Sequence, residues 1–346
     1  MKATSALADH LDRLGLGTGP IELDPIGSGH SNLTFRLKRG AVTLVLRRPP
    51  LGDLAQSAND VLREARVLKA LASTSIPVPW VIDTCEDPAV IGAPFFLMEE
   101  IDGVVVNDAL PVHFGADAAG AIAESVVEHL VRIHGIEPDS AGFERLGRPD
   151  GYLERQVARF STLLEQNTTR DLPLLERVGE WLASNRPESP PATFVHGDFR
   201  LGNIMFEPYR PAIAAVLDWE MATIGDPLAD LGYLSAMWAG PDDDPNPMLA
   251  LSPVTRDPRF PSRAELVARY EELSGRRADS LAWYQVLATW KSAIFLEGSY
   301  ARFRAGASDD QFFATLESGV PAIASWAAGL AGLPLSTITD RERSTR

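Results

Sequence analysis

Residues 194–220 constrain this chain more than any other stretch: Phe-Val-His-Gly-Asp-Phe-Arg-Leu-Gly-Asn-Ile-Met-Phe-Glu-Pro-Tyr-Arg-Pro-Ala-Ile-Ala-Ala-Val-Leu-Asp-Trp-Glu. The apolar run 193–195 reads as a strand that enters a polar loop carrying His196, Asp198, Arg200 and Asn203. A second short strand, 204–206, turns at 207–211 into a third, 212–217, which ends on Asp218. One loop and one strand end thus present two carboxylates and an amide. Such a set meets the needs of phosphoryl transfer: one carboxylate orients a hydroxyl and takes its proton, while an amide oxygen and a second carboxylate hold Mg²⁺ on nucleotide phosphates. A His-x-Asp pair also suits half of a hydrolytic metal site, but none of the six histidines has a paired ligand spacing, which argues against that chemistry.

The bulk composition narrows the partners. A chain of 346 residues, 45% hydrophobic and 23% charged, can bury a large core, and two lobes are expected. The net charge of −15 disfavours nucleic acid and anionic membrane, both of which demand a basic face. It leaves room for a nucleotide held by a local arginine cluster. Cys85 is the only cysteine, so no intrachain disulfide forms and a reducing, cytoplasmic setting fits. Met1 to Gly19 lacks the unbroken apolar core of a signal peptide, and no 18-residue apolar run exists.

Three motifs follow one another in fixed order: His196-Gly197-Asp198-Phe199-Arg200-Leu201-Gly202-Asn203, then Leu217-Asp218-Trp219-Glu220, then Gly225-Asp226-Pro227-Leu228-Ala229-Asp230-Leu231. Asp198 and Asn203 have the D-x-x-x-x-N spacing of a kinase catalytic loop. In these residues the chain resembles the aminoglycoside phosphotransferase and choline kinase-like family, relatives of the protein kinases. A weaker likeness extends from about residue 20 to the C-terminal helices. The resemblance implies an α+β, protein-kinase-like fold: a small antiparallel-sheet N-terminal lobe, residues 1–102, and a larger, mostly helical C-terminal lobe, residues 103–346.

In the N-terminal lobe, 5–16 reads as an amphipathic helix and 21–37 as two strands joined by Gly27-Ser28-Gly29-His30-Ser31-Asn32. A Gly-x-Gly between strands is usually a hairpin, but glycines also let backbone amides approach an anion. The resemblance makes this the nucleotide-covering loop, with Gly27, Ser28, Gly29 and Asn32 as its contributors. Strand 42–48 ends on Arg47 and Arg48 where the family pattern has a lysine that grips the α- and β-phosphates; Arg47 is favoured, with Arg48 open. On the helix over 59–71, Glu64 shares the apolar face of Val61, Ala65, Leu68 and Leu71, and a carboxylate there needs a cation. Arg47 is its candidate partner, as in the kinase Lys–Glu pair. Strands 80–84 and 95–100 lead to the expected hinge, where the backbone at Glu99 and Ile101 meets the base and Gly103 begins the second lobe.

Helices are expected over 118–134, 152–166, 174–184, 264–273, 281–303 and 311–330. His129 and His134 read as structural. Asp226-Pro227 is an N-cap followed by proline at the first helical position, and the resemblance sends Asp230 back to the catalytic-loop backbone. Arg200 either steadies the γ-phosphate or pairs with Glu220 or Asp230. The acidic, proline-broken loop 240–247 reads as solvated surface.

The resemblance implies transfer of the γ-phosphoryl group of ATP or GTP to a small-molecule hydroxyl. Asp198 is then the catalytic base, Asn203 and Asp218 the Mg²⁺ ligands, and Arg200 an assistant. Within the family, Leu-Arg-Arg-Pro-Pro, His-Gly-Asp-Phe-Arg-Leu-Gly-Asn and Asp-Trp-Glu look most like the branch fused to, or encoded near, acyl-CoA dehydrogenases, which points to a hydroxylated acyl or other metabolite. An antibiotic kinase and a nucleotide-binding scaffold are the alternatives. A protein kinase is disfavoured, because no Ala-Pro-Glu signature follows Asp218 and the gap to Gly225 is too short for an activation loop.

Overall fold

The computed structural model describes residues 5–27, 32–50, 60–140, 142–143, 146–306 and 310–335. Among the described residues, helices α1 (Ser5–Arg13), α2 (Val61–Leu71), α3 (Ala118–His134), α4 (Tyr152–Asn167), α5 (Pro173–Ser184), α6 (Pro227–Met237), α7 (Arg263–Ser274), α8 (Leu281–Arg304) and α9 (Leu316–Leu330) are interspersed with ten strands. The strands are β1 (Ile21–Pro25), β2 (Leu33–Arg39), β3 (Val42–Arg48), β4 (Val81–Cys85), β5 (Phe95–Glu99), β6 (Val104–Val105), β7 (Thr193–Val195), β8 (Ile204–Phe206), β9 (Ile213–Val216) and β10 (Thr223–Gly225).

The chain divides into two units that are discontinuous in sequence. One, the sheet unit, comprises Met1–Val105, Asp139–Arg145 and Asn203–Ala222; the other, the helical unit, holds the remainder.

In the sheet unit, β1, β2, β3, β5 and β4 lie side by side in that order, every pair antiparallel. The central strand β3 is covered on both faces. Leu44 and Leu46 join Leu7 and Leu11 of α1, Phe35, Leu37, Phe95 and Leu97 in one core. With side chains alternating along a strand, Val45 and Arg47 turn to the opposite face, and α2 packs against β4 and β5. Arg39 fastens α1 to the sheet through Asp12 Oδ1 at 2.7 Å and the Ala8 carbonyl at 3.3 Å. Helix α1 stops at Arg13, earlier than its periodicity predicts, because Gly15 adopts φ +68° and Leu16 folds its amide onto the Leu11 carbonyl. A second sheet, β6–β8–β9, belongs to the same unit, and because Ile204 pairs with Val216 in antiparallel register it delivers Asn203 and Asp218 from one and the same end.

In the helical unit the long helix α8 packs against α4, α5, α6 and α9. The buried Trp290 donates its indole N–H to the Leu175 carbonyl at 2.8 Å. Strands β7 and β10 pair antiparallel and carry the polar loop that follows Val195. The helix expected over 311–330 starts as a 3₁₀ turn, Gln311–Thr315, and becomes α9 at Leu316. Inside α9, Pro321 has no N–H for the Glu317 carbonyl, and Arg170 Nη1 donates to that oxygen at 2.5 Å. Among the described residues no helix is long and apolar enough to cross a membrane.

Candidate active site

The sheet unit gathers one cation and three carboxylates. Arg47 Nε lies 2.8 Å from Glu64 Oε2, while Arg47 Nη2 lies 2.6 Å from Asp218 Oδ1 and 3.5 Å from Glu220 Oε2. Thr34, opposite Arg47 in the β2–β3 register, accepts from Nη1 at 3.3 Å. Strand parity explains why Arg47 takes this role. Arg48 points to the other face, where its guanidinium lies 5.7 Å from the Phe35 ring centroid and bonds the Pro49 carbonyl. Glu64 is 2% exposed, and burial pushes its carboxyl above the usual range against the pull of Arg47. For Arg47, burial works against the charge, but Glu64, Asp218 and Glu220 outweigh it and raise its pKa.

Asp218 sits at φ +64°, ψ +63°, and among the described residues it alone is a non-glycine with positive φ. Backbone strain of this kind persists only where the surroundings enforce it. Trp219, fully buried, donates to the Val216 carbonyl at 2.9 Å, and Arg63 of α2 donates to the carbonyls of Glu220 and Ala222. The Leu217 amide donates to the Asn203 carbonyl at 2.8 Å, which ties one predicted metal ligand to the residue just before the other. Asn32 donates to Glu220 Oε2 at 2.7 Å, and its own Oδ1 is buried with no hydrogen-bond partner among the described residues.

Both Asn203 and Asp218 offer hard oxygen donors, which suits Mg²⁺. Among the described residues no three His, Cys, Asp or Glu side chains form a metal cage.

Asp198 and Arg200 belong to the helical unit. The loop before them is braced from within the protein. Asp230 accepts from the His196 amide at 2.7 Å and the Gly197 amide at 2.8 Å, and the Asp198 amide donates to His196 Nδ1 at 3.2 Å. Burial pushes Asp230 up, but hydrogen bonds from His134 and the His196 backbone prevail and hold it below the usual carboxylate range. His134 is fully buried and pushed down, so it is neutral: Nε2–H donates to Asp230 at 3.3 Å and Nδ1 accepts from the Tyr270 hydroxyl at 2.8 Å. Asp226 caps α6 by accepting from the Leu228 amide at 2.9 Å, and Tyr284 donates to its other oxygen at 2.8 Å.

Several expectations need correction or extension. Arg200 pairs with Asp198, its Nε 3.7 Å from Oδ1, and not with Asp230. Glu220 is engaged by Arg47 and Asn32. In the acidic loop 240–247, Asp243 is an internal anchor: it takes Arg263 and the Gly240 amide. Of the hinge residues, Glu99 gives its amide to the Trp80 carbonyl at 3.0 Å and its carboxylate accepts the Trp80 amide at 2.8 Å. Ser28 and Gly29 lie outside the described residues, whereas Gly27 has φ +77°. Sequence reasoning missed Arg63 and also Lys291, although Lys291 is the only lysine after Lys69.

The comparisons with known proteins bear on this geometry. A model of the "Phosphotransferase enzyme family" matches residues 22–284. The chain belongs to that family. Human acyl-CoA dehydrogenase family member 11 is 35% identical over 290 residues, 82% of this chain and 37% of the relative. The mouse acyl-CoA dehydrogenase family member 10 is 39% identical over 216 residues, 62% of this chain and 20% of the relative. The chain therefore spans between about a fifth and two fifths of the length of these relatives. A crystal structure from Ralstonia eutropha JMP134, described provisionally as an aminoglycoside phosphotransferase, superposes with a TM-score of 0.77 at 28% identity, covering 96% of this chain and 99% of that one. An aminoglycoside phosphotransferase solved with AMP-PNP and hygromycin B has a TM-score of 0.57 at 19% identity over 95% and 97% of the two chains, a likeness of fold. The fold is thus α+β and protein-kinase-like, and the likeness to the acyl-CoA dehydrogenase-associated branch read from the motifs is borne out.

Proposed function

We propose that this chain is a Mg²⁺-dependent kinase that transfers the γ-phosphoryl group of ATP or GTP to the hydroxyl of a small metabolite, a hydroxylated acyl compound foremost. The observation that carries the reading is the double engagement of Arg47, bonded at once to Glu64 and Asp218. A phosphate-gripping cation must be held by the α2 carboxylate and must border the metal ligand. Arg47 has both neighbours, and its planar fork can meet two phosphate oxygens together.

In this reading Asn203 and Asp218 would hold Mg²⁺, which would supply charge neutralisation for the nucleotide phosphates. Asp198 accepts the acceptor's proton. The acceptor oxygen forms its bond to the γ-phosphorus as the bond from that phosphorus to the β–γ bridging oxygen breaks, leaving the nucleoside diphosphate. Arg200, beside Asp198, offsets charge on the transferring group. The base meets the backbone at Ile101, since the Glu99 amide is spent on Trp80. Gly27, Ser28, Gly29 and Asn32 cover the phosphates.

The acyl preference rests on relatives named as acyl-CoA dehydrogenase family members. For an antibiotic acceptor the acidic loop offers less than its charge suggests, because Asp243 is engaged by Arg263 and only Asp242 and Asp244 are left exposed. Thermal unfolding with ATP or GTP, with and without Mg²⁺, tests the nucleotide site. A Mg²⁺-dependent rise in Tm that Asp218→Ala abolishes supports it; no rise at millimolar nucleotide turns the chain into a scaffold.

A further inference from the structure

Two cations in the helical unit share one aromatic ring and have no acceptor among the described residues. Phe160 of α4 is fully buried, wedged edge-on against Phe295 with centroids 5.0 Å apart. The Lys291 Nζ of α8 lies 4.9 Å from the Phe160 centroid, and the Arg159 guanidinium lies 6.0 Å from it. Neither makes a hydrogen bond or ion pair with any described residue. Other arginines of the same unit behave otherwise: Arg170, Arg263 and Arg269 are each bound to a carboxylate. An ammonium with three donors and a guanidinium with five are thus gathered without a protein oxyanion to receive them.

Lys291 feels Arg159 as a like charge, and Asp230 and Asp198 as opposite ones, while burial pushes its pKa down to about 8. Lys291 is half-buried and Arg159 is exposed, so both cations can meet a ligand that enters from solvent. In a chain of net charge −15, an anionic ligand is repelled everywhere except at a local cation.

We infer that Lys291 and Arg159, carried over the Phe160 ring within the unit that bears Asp198, form an oxyanion-binding subsite for the phosphate acceptor, so the acceptor carries a carboxylate or phosphate as well as its hydroxyl. The assignment rests on Asp198 being the proton acceptor of the reaction. It makes Lys291 and Arg159 specificity-determining residues: they hold one end of the acceptor and leave its hydroxyl to Asp198. Neutral alcohols and polycationic drugs gain nothing there.

Four lysines in the chain make the test simple. The full-length protein is acetylated with an amine-reactive reagent near pH 8, and labelling at Lys291 and Lys69 is followed separately by peptide mass spectrometry. Two probes are used, glutarate for a carboxylate and methyl phosphate for a phosphate. Protection of Lys291 and not of Lys69, about tenfold once a probe exceeds its Kd by ten, supports the subsite, and the probe that protects names the anion. Protection by neither probe overturns it. In turnover, 6-hydroxyhexanoate is compared with 1,6-hexanediol. Lys291→Met should erase any preference for the hydroxy acid through KM, and Lys291→Arg should retain it, with the Tm rise caused by Mg²⁺ and nucleotide intact in both. A hydroxy-acid preference that survives Lys291→Met overturns the subsite. Protection of Lys291 in a protein that transfers phosphate to no hydroxyl leaves the subsite standing and removes the kinase reading instead.

Discussion

Removing Arg47 should destabilise the sheet unit far more than a surface arginine would, and the reason lies in what it leaves behind. Glu64 is 2% exposed, and its carboxylate faces the Arg47 Nε at 2.8 Å. Breaking a buried pair from one side costs about 3–5 kcal/mol, because the remaining charge keeps its desolvation penalty without its partner. Asp218 and Glu220 add repulsion, softened by solvent, as their side chains are 30% and 22% exposed. Arg47→Met should therefore lose about 3–5 kcal/mol near pH 8. In Arg47→Met/Glu64→Leu both charges of the pair are gone, and most of that loss should return. The pH dependence has a definite sign. Burial already raises the Glu64 pKa, and losing Arg47 raises it further. A carboxyl with a raised folded-state pKa destabilises at pH above that value and is relieved on protonation, so the Arg47→Met penalty should shrink on acidification. Hydrogen exchange of the α2 amides reports the sheet unit alone, with urea denaturation beside it. A loss under about 1 kcal/mol, a double variant no better than the single one, or a penalty that grows in acid would refute the reasoning. Neither variant should regain the Mg²⁺-dependent nucleotide response, because stability and phosphate binding use Arg47 differently.

Asp230→Ala strands the His196 and Gly197 amides, now served at 2.7 and 2.8 Å; a stability loss of about 2–5 kcal/mol is expected, measured by chemical denaturation. Gly225→Ala brings a methyl group within 2.6 Å of the Tyr152 ring, and overpacking of that kind should cost about 1–3 kcal/mol and lower Tm. Lys291 has its folded-state pKa lowered to about 8, so its charge destabilises the fold below that pH. Lys291→Met should stabilise by about 1–2 kcal/mol at pH 7, a figure reduced for partial exposure, with the gain fading as pH climbs from 8 toward the ordinary lysine range. Asp198→Asn should reduce turnover by at least about three orders of magnitude while leaving the nucleotide-induced Tm rise in place.

Much of the candidate site was legible because its chemistry is local in sequence. The run from His196 to Glu220 contains both predicted metal ligands and the predicted base, and its strand–hairpin pattern places β7, β8 and β9 within a residue or two. Of the Arg47–Glu64 pair, Glu64 was legible from the apolar face of α2, whose Asp60 caps the helix by accepting the Arg63 amide at 2.8 Å, while Arg47 was favoured only by the family pattern, with Arg48 open until the strand parity of β3 was seen. The helix that carries Asp230 was legible from its Asp226-Pro227 start, but the reach of Asp230 to the loop backbone came from the family resemblance alone. The partner of Arg200 was not legible, since a flexible side chain can fold back on its own loop and periodicity says nothing of that choice. The 3₁₀ start of the last helix escaped because the apolar pattern continues through it. Lys291 and Phe160 come from helices far apart in the chain, and only the packing of α4 on α8 puts the ammonium over the ring. No local pattern contains that contact.

The central claim is phosphoryl transfer to a hydroxyl, and ³¹P NMR of the full-length protein with Mg²⁺, ATP or GTP and a set of hydroxy acids tests it most directly. The account predicts a new phosphomonoester resonance growing as the nucleoside diphosphate appears, absent with Asp198→Asn and with Asp218→Ala. Unconsumed nucleotide across the acceptor set, or inorganic phosphate as the sole product, would contradict it.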